Sequence, residues 1–337
     1  MEARLRLSVL IGGFAASQML YVAARLKLAD LLAGGPMTAA DLARECGAKE
    51  EPLRRVVRGL TAFGVFEVQE DGRFANNWLS ECLRAGAQDS LREMALLYGE
   101  EHYHAMSELL QAVRRGGTAF EHAYRKPHFT YLASNPDAAR SYYEAKSTAA
   151  AGSAAAVVSA YDFTRAGVAV DVGGGTGQLI RAVLHANPGV SGILVESSGM
   201  ARKARARLHA EGLDGRCEVQ TTDVFESVPG DGDVYLLGHV LHGLDDQRAE
   251  QLLRNCHRAM GPRARLLVIE RVLEEQPATG LTAQHAAVFD AVAMAVSGGR
   301  ERTLEEHSSL LSRAGMKVTD VTAVGGGDSI VEAARRD

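Results

Sequence analysis

VAVDVGGGTGQLIRAVL, residues 168–184, decides the fold. Val168 to Val172 is a short apolar, valine-rich run interrupted only by Asp171, the composition of a strand buried on both faces. A glycine-rich turn follows, after which Leu179, Ile180, Val183 and Leu184 recur at helical spacing and face inward. Strand, glycine turn and helix make the opening unit of a nucleotide-type α/β fold, whose ligands sit outside the carboxyl ends of the strands. GILVE (192–196), DVYLL (233–237) and RLLVIE (265–270) alternate with amphipathic helical stretches. That alternation predicts an α/β Rossmann-like domain with a mostly parallel, doubly wound sheet over residues 161–337.

The loop narrows the ligand. A dinucleotide fingerprint, read from Gly173 and Gly175, needs a third glycine where Gln178 stands, and a phosphate loop needs Gly-Lys-Ser/Thr where Gly177 is followed by Gln178 and Leu179. The pattern that fits is Asp171-x-Gly173-x-Gly175-x-Gly177. The glycines let a ligand approach the backbone, and the acid before them repels phosphate and attracts a cation. Glu196, ending the next strand run, is placed to accept hydrogen bonds from both hydroxyls of a ribose. Asp223 in TTDVF, at the end of the third strand, is placed to accept one from an exocyclic amine. A ribose, an amine-bearing base, a positive centre and no phosphate describe S-adenosylmethionine.

The rest of the chain sets the context. At 337 residues two domains are expected. A hydrophobic content of 46%, a charged content of 23% and a net charge of -5 indicate a folded protein with no basic patch for nucleic acid or an anionic membrane. The four cysteines, Cys46, Cys82, Cys217 and Cys256, are scattered without a CxxC spacing and read as free thiols of a cytoplasmic protein. Charges at helical spacing interrupt the apolar N-terminal stretch, so it reads as a packed amphipathic helix and not as a signal peptide or membrane span.

Residues 1–90 read as a winged-helix-like unit. Thr38 and Asp41 form a capping box before one helix, and the next places Leu53, Val56, Val57, Leu60 and Phe63 on one face. Two short strands then meet at Asp71-Gly72. Lys49-Glu50-Glu51 offsets Arg54, Arg55 and Arg58, so packing or dimerisation is the better reading of this unit than DNA binding. Residues 91–160 read as a helical connecting and acceptor-pocket segment, with loops at RRGGTAF and YRKPHF and one long alanine-rich helix after Pro136.

GHVLHGLDD, residues 238–246, carries the remaining chemistry. His239 and His242 are a weak metal pair, because strand alternation sends positions three apart to opposite faces and no third ligand is evident. No metal site is expected, and His239 reads as a surface or interface residue. Asp245 and Asp246 read as a helix N-terminus, where acids favour the dipole. His102, His104, His122 and His128 read as solvated by default.

From about Ala15 to its end the chain resembles the two-domain small-molecule O-methyltransferases, the plant caffeate-type enzymes and the bacterial polyketide and antibiotic-tailoring enzymes. The family's fold is a Rossmann-like methyltransferase domain preceded by a mainly α winged-helix dimerisation domain. The resemblance implies a homodimer through the N-terminal domain, S-adenosylmethionine as donor with S-adenosylhomocysteine as product, and a small-molecule acceptor. Gly173, Glu196, Asp223, Val224 and Gly238 match donor-lining positions, beside Asp171, Gly175, Gly177 and Phe225 of the same segments. LLGHVLHGLDD looks like the family's L-K-x-V-L-H-D-W-D-D segment, which makes His242 the general base. Glu270 and Glu301 of GGRERT match the two acids flanking it. Asp290 and Met294 match a helix walling the acceptor pocket, and His285 lies just before them.

Four departures stand out: Gly243-Leu244 for Asp-Trp, Gly238 for a frequent lysine, Ser197-Ser198 for Leu-Pro, and Lys146 for a pocket methionine. They imply a wider, more polar acceptor pocket. The chemistry that the resemblance implies is methylation of a hydroxyl, expected to be phenolic, on a natural product. N- or C-methylation, a non-methylating reaction assisted by S-adenosylmethionine, and a ligand-responsive DNA-binding regulator are the alternatives.

Overall fold

A computed structural model describes residues 1–87, 90–276, 278–325 and 327–336, with residues 149 and 198 described by backbone alone. The chain divides into two compact units, Met1–His104 with Tyr131–Ala149, and Ala105–Thr130 with Ala150–Asp337. The expected boundaries after residues 90 and 160 lie elsewhere than this division, which passes through the long helix Pro136–Ala160 and groups residues 105–130 with the second unit.

In the first unit, helices Gly13–Arg25, Ala39–Cys46 and Glu50–Ala62 pack with the hairpin β1 (Phe66–Val68) and β2 (Phe74–Asn76). Leu28, Leu42, Leu53, Val57, Leu60 and Phe66 form the centre of this core. Thr38 caps its helix by accepting from the Asp41 amide, while the Asp41 carboxylate takes the Thr38 hydroxyl, so only one arm of the expected capping box closes on backbone. Gly72 takes φ 82°, as the Asp-Gly turn requires. Phe63 is not on the buried face: it is 50% exposed, because the helix stops at Ala62 and Gly64, at φ 76°, turns the chain so that Val65 and Phe66 bury instead.

The N-terminal stretch divides. Gly13–Arg25 packs through Ala23 and Ala24, whereas Glu2–Ile11 buries none of its residues, contrary to the packed helix expected there. Among the described residues no single helix is long and apolar enough to cross a membrane.

The second unit is built on a sheet ordered β5-β4-β3-β6-β7-β10-β9. Its strands are β3 (Val168–Val172), β4 (Ser191–Glu196), β5 (Cys217–Thr221), β6 (Val234–Gly238), β7 (Arg265–Leu273), β9 (Met316–Gly325) and β10 (Asp328–Arg335), with the short β8 (Arg302–Thr303) beside β7. β3 to β7 run parallel, and β10 and β9 are antiparallel additions. Alternate strand residues feed two cores. Ala169, Leu194, Leu236 and Ile269 meet Val157, Ile180 and Leu208 on one face. Val170, Val195, Leu237 and Val268 meet Leu252, Leu253 and Leu310 on the other. Burial on both faces explains the unbroken apolar runs of the sequence. The chain leaves β3 for β4 on one side and later returns to β6 on the other, so a crevice opens at the carboxyl ends of these strands.

Candidate active site

Gly173, Gly175 and Gly177 take φ 71°, 59° and 81°, a left-handed conformation that side-chain-bearing residues rarely adopt. The fourth glycine, which the sequence reading passed over, is the most constrained. A Cβ on Gly174 would stand 2.2 Å from Asp171 Oδ2 and 2.5 Å from Leu194 Cδ1. Gly173 N–H donates to the Val195 carbonyl and Gly175 N–H to Glu196 Oε2, both at about 3.0 Å, so the loop is tied to the end of β4. Glu196 Oε1 accepts from the Ser197 amide at 2.6 Å. Each oxygen keeps further acceptor capacity for a hydroxyl.

Asp171 is fully buried, and its Oδ2 accepts from the Ile180 amide at 3.3 Å. Its Oδ1 has no hydrogen-bond partner among the described residues. Burial, opposed by the Ile180 amide and reinforced by the Glu196 charge, pushes its pKa up to about 7. Asp171 lines a cleft together with Gly174, Leu179, Gly238 and His239. A Cβ on Gly238 would come within 3.1 Å of Leu179 Cδ2 there.

Asp223 lies two residues past β5, exposed, with Oδ1 accepting from the Phe225 amide at 2.9 Å. Helix Asp246–Ala259 holds this turn: Asn255 donates to the Val224 carbonyl at 2.8 Å and Gln251 to the Phe225 carbonyl at 2.9 Å. The Arg248 guanidinium sits 4.0 Å from the Phe225 ring centre.

His242 lies in a single 3-10 turn, Leu241–Gly243, just after β6. Glu270, on β7, ends beneath it with its side chain 1% exposed. Glu270 Oε1 accepts from the Leu241 amide at 2.7 Å and the His242 amide at 3.3 Å, and Oε2 lies 2.8 Å from His242 Nδ1. Burial raises the Glu270 pKa, but the His242 charge and hydrogen bond, with His239 and His307, outweigh it and hold the group at about 2. An ionised carboxylate only accepts, so Nδ1 is the donor and Nε2 carries the lone pair of the His242 ring.

Three features escaped the sequence reading. His239 is half-buried, with its side chain 25% exposed and tied into the site: Nε2 lies 3.2 Å from Asp328 Oδ2 and Nδ1 3.9 Å from Glu270 Oε2. Strand alternation does not reach His239, because β6 ends at Gly238 and His239 takes φ 56°, turning its ring back to 6.0 Å from that of His242. Arg302, 1% exposed, donates to the Leu241 carbonyl at 2.8 Å, the Leu244 carbonyl at 2.9 Å and Asp246 Oδ1 at 2.8 Å. It therefore clamps the peptides on both sides of His242. Gly299 touches the same turn so closely that a Cβ would stand 2.0 Å from the His242 carbonyl oxygen. Arg302 adjoins Glu301 in GGRERT, a hint the sequence offers; Asp328 carries no local signal.

Glu301 is buried and accepts from Arg271 Nη1 at 3.1 Å, while its amide donates to Asp290 Oδ1 at 2.9 Å. Asp290 thus positions the Glu301 loop. On helix Leu281–Ser297, His285 packs 4.6 Å from Phe289, whose ring carries the Arg271 guanidinium at 4.4 Å, and Met294 is exposed. A Cβ at Gly243 meets nothing within 4 Å, whereas Leu244 packs against the core. Asp245 caps the following helix by accepting from the Arg248 amide at 2.8 Å, and Asp246 pairs with Arg302. Lys146 belongs to the first unit, its ammonium 6.0 Å from the Tyr142 ring centre. His102 and His128 are buried, not solvated.

The donor-side residues fit S-adenosylmethionine. A buried carboxylate with an unmet oxygen suits a cation, and the glycine backbone leaves a cradle that side chains would fill. The comparisons agree. Residues 106–317 match the family model of an O-methyltransferase domain, and residues 8–86 that of an O-methyltransferase dimerisation domain. Phenazine O-methyltransferase of Lysobacter antibioticus is 40% identical over 96% of this chain and 94% of its own length. The solved structure of mitomycin 7-O-methyltransferase, 35% identical, superposes with a TM-score of 0.91 over 99% of this chain and 98% of that one. An O-methyltransferase from neocarzinostatin biosynthesis, solved with S-adenosylmethionine and 2-hydroxy-5-methyl naphthoic acid, is 30% identical with a TM-score of 0.81 over 96% of each chain. The chain belongs to the S-adenosylmethionine-dependent O-methyltransferases that carry an N-terminal dimerisation domain.

Proposed function

We propose that the chain methylates a hydroxyl on an aromatic natural product and that His242 Nε2 accepts the proton. The observation that carries this reading is the 2.8 Å contact between His242 Nδ1 and Glu270 Oε2. It makes Nε2 the acceptor nitrogen of the ring and places a buried negative charge where it stabilises the imidazolium. A phenol near pKa 10 loses its proton to an imidazole near 6.5 only as the new bond forms, so positioning dominates the chemistry. Bound S-adenosylmethionine supplies an electrophilic methyl group on a positively charged sulfur. In this reading Asp171 and the glycine loop hold its cationic part, Glu196 its ribose, and the Asp223-Val224-Phe225 turn its base. Gly238 keeps the cleft open beside them.

Glu301, fixed by Arg271 and Asp290, supports the base loop, and His285, Met294 and the open space at Gly243 face the acceptor. The phenazine and hydroxynaphthoate named for the relatives make a fused aromatic acceptor the first choice. The dimerisation domain supports a homodimer, with the exposed Leu5, Leu7, Leu10 and Ile11 offering apolar surface to a second copy. The test is incubation with S-adenosylmethionine and a panel of hydroxylated phenazines and naphthoates, followed by mass spectrometry. The proposal predicts a gain of one CH2 located on oxygen; attachment to nitrogen or carbon, or no gain, refutes it.

A further inference from the structure

Beyond methyl transfer, the geometry points to a binding site for a divalent transition-metal ion at His239, His242 and Glu270, one whose occupation disables the base. A nitrogen of each histidine and a carboxylate oxygen of Glu270 lie within 4.8 Å of one another. Glu270 Oε2 is 2.8 Å from His242 Nδ1 and 3.9 Å from His239 Nδ1. Ligands of a tetrahedral zinc ion stand about 3.3 Å apart, from bond lengths of about 2.0–2.1 Å. The observed 2.8 Å and 3.9 Å separations stand on either side of that spacing. Two imidazoles and one carboxylate, with a fourth position left over, are also the ligand set of zinc sites that take an exogenous ligand.

Two independent observations support the site. His239 Nε2 lies 3.2 Å from Asp328 Oδ2, and Asp328 is itself largely buried. A carboxylate on the far nitrogen is the usual outer partner of a metal-bound histidine: it fixes the tautomer and aims the other lone pair at the ion. His239 also holds φ 56°, a conformation costly for a residue with a Cβ. That twist is what brings its ring over Glu270. Nitrogen-rich ligation favours copper, zinc or cobalt over magnesium or calcium.

The consequence follows from the atoms. The ion takes the Nδ1 lone pair, so the one N–H proton of the neutral His242 ring passes through solvent from Nδ1 to Nε2. Nε2 then has no lone pair to offer an acceptor hydroxyl. This inhibition rests on His242 being the base; binding of the ion does not.

The full-length protein, stripped with chelator, is titrated with Co2+ and followed by visible absorption, and Zn2+ is titrated into the release of S-adenosylhomocysteine with a phenolic acceptor. One Co2+ per chain is expected to bind, and Zn2+ to abolish turnover until chelator is added. In His239→Asn, which keeps a side chain tolerant of positive φ, the half-inhibiting Zn2+ concentration, scored against that variant's own metal-free rate, rises at least tenfold. In Asp328→Asn it rises about 10- to 100-fold, the usual effect of losing an outer partner. Equal inhibition of the parent and His239→Asn overturns the proposal. Failure of Co2+ to bind overturns the site and leaves the base reading standing, whereas Co2+ bound with turnover undiminished overturns the base reading.

Discussion

Replacing Arg302 by methionine removes the clamp on the His242 turn while filling much of its volume. Arg302 is 1% exposed and makes charge-assisted bonds to the Leu241 and Leu244 carbonyls at 2.8 and 2.9 Å. Two such bonds contribute about 1.5–3 kcal/mol each, and losing them leaves the carbonyl of the fully buried Leu241 with only the Leu244 amide, at 3.1 Å. The ion pair with Asp246 adds little, because the Asp246 side chain is 49% exposed and water screens it. The expected destabilisation is about 3–5 kcal/mol. A turn freed on both sides also lets His242 drift, and a misplacement of roughly 1 Å costs on the order of a hundredfold in rate. Urea unfolding of the full chain measures the first effect and steady-state release of S-adenosylhomocysteine the second. The KM for the donor should stay within about twofold while kcat falls, since the glycine loop lies on other strands. Arg302→Lys restores charge but not the fork, and should recover part of the stability and less of the rate. Arg302→Met with stability within about 1 kcal/mol of the parent and more than half its kcat would refute the clamp.

Asp171 gives a pH signature. Its pKa is raised from 3.8 to about 7, so its contribution is fully present below 3.8 and lost as pH rises towards 7, by up to about 4 kcal/mol at 1.36 kcal/mol per pKa unit. A cationic donor favours the ionised form, so donor affinity should strengthen between pH 6 and 8, and Asp171→Asn should bind it at least tenfold more weakly while melting higher than the parent at pH 8 without ligand. Donor affinity independent of pH in that window contradicts the assignment. Gly299→Ala places a Cβ 2.0 Å from the His242 carbonyl oxygen, backbone that cannot move aside without the base, so kcat should fall at least tenfold with donor binding retained. Glu270→Gln keeps the shape but loses the charge held at about 2. Because that pKa is depressed, the parent's stabilisation is present above 4.5 and lost as pH falls through 2. The variant should lack that acid dependence in urea titrations and lose on the order of 10²–10⁴ in kcat.

The doubly wound sheet was legible because burial on both faces writes each parallel strand as an uninterrupted apolar run, and because Gly173 to Gly177 cannot be replaced without strain or clash. Helix Gln178–Ala186 buries all four of its expected residues, Leu179, Ile180, Val183 and Leu184. The Asp-Gly turn and the Asp245 cap were equally local and equally readable. What failed to show depends on contacts far apart in sequence or on a single backbone angle. One positive φ at His239 undoes strand alternation and brings two histidines to the same carboxylate. Arg302 reaches back to Leu241, and Asp328 arrives on a strand after the last expected site residue. Periodicity carried Phe63 one step beyond the end of its helix, and it took the N-terminal Glu2–Ile11 for a packed helix because apolar residues without a partner look the same in sequence as those with one.

Replacement of His242 by alanine, with donor affinity measured by calorimetry and turnover by release of S-adenosylhomocysteine in the presence of a productive acceptor, tests the central claim most directly. The account predicts a donor Kd within about threefold of the parent and a kcat lower by on the order of 10²–10⁴. Undiminished kcat in that variant would show that the proton leaves the acceptor by another route.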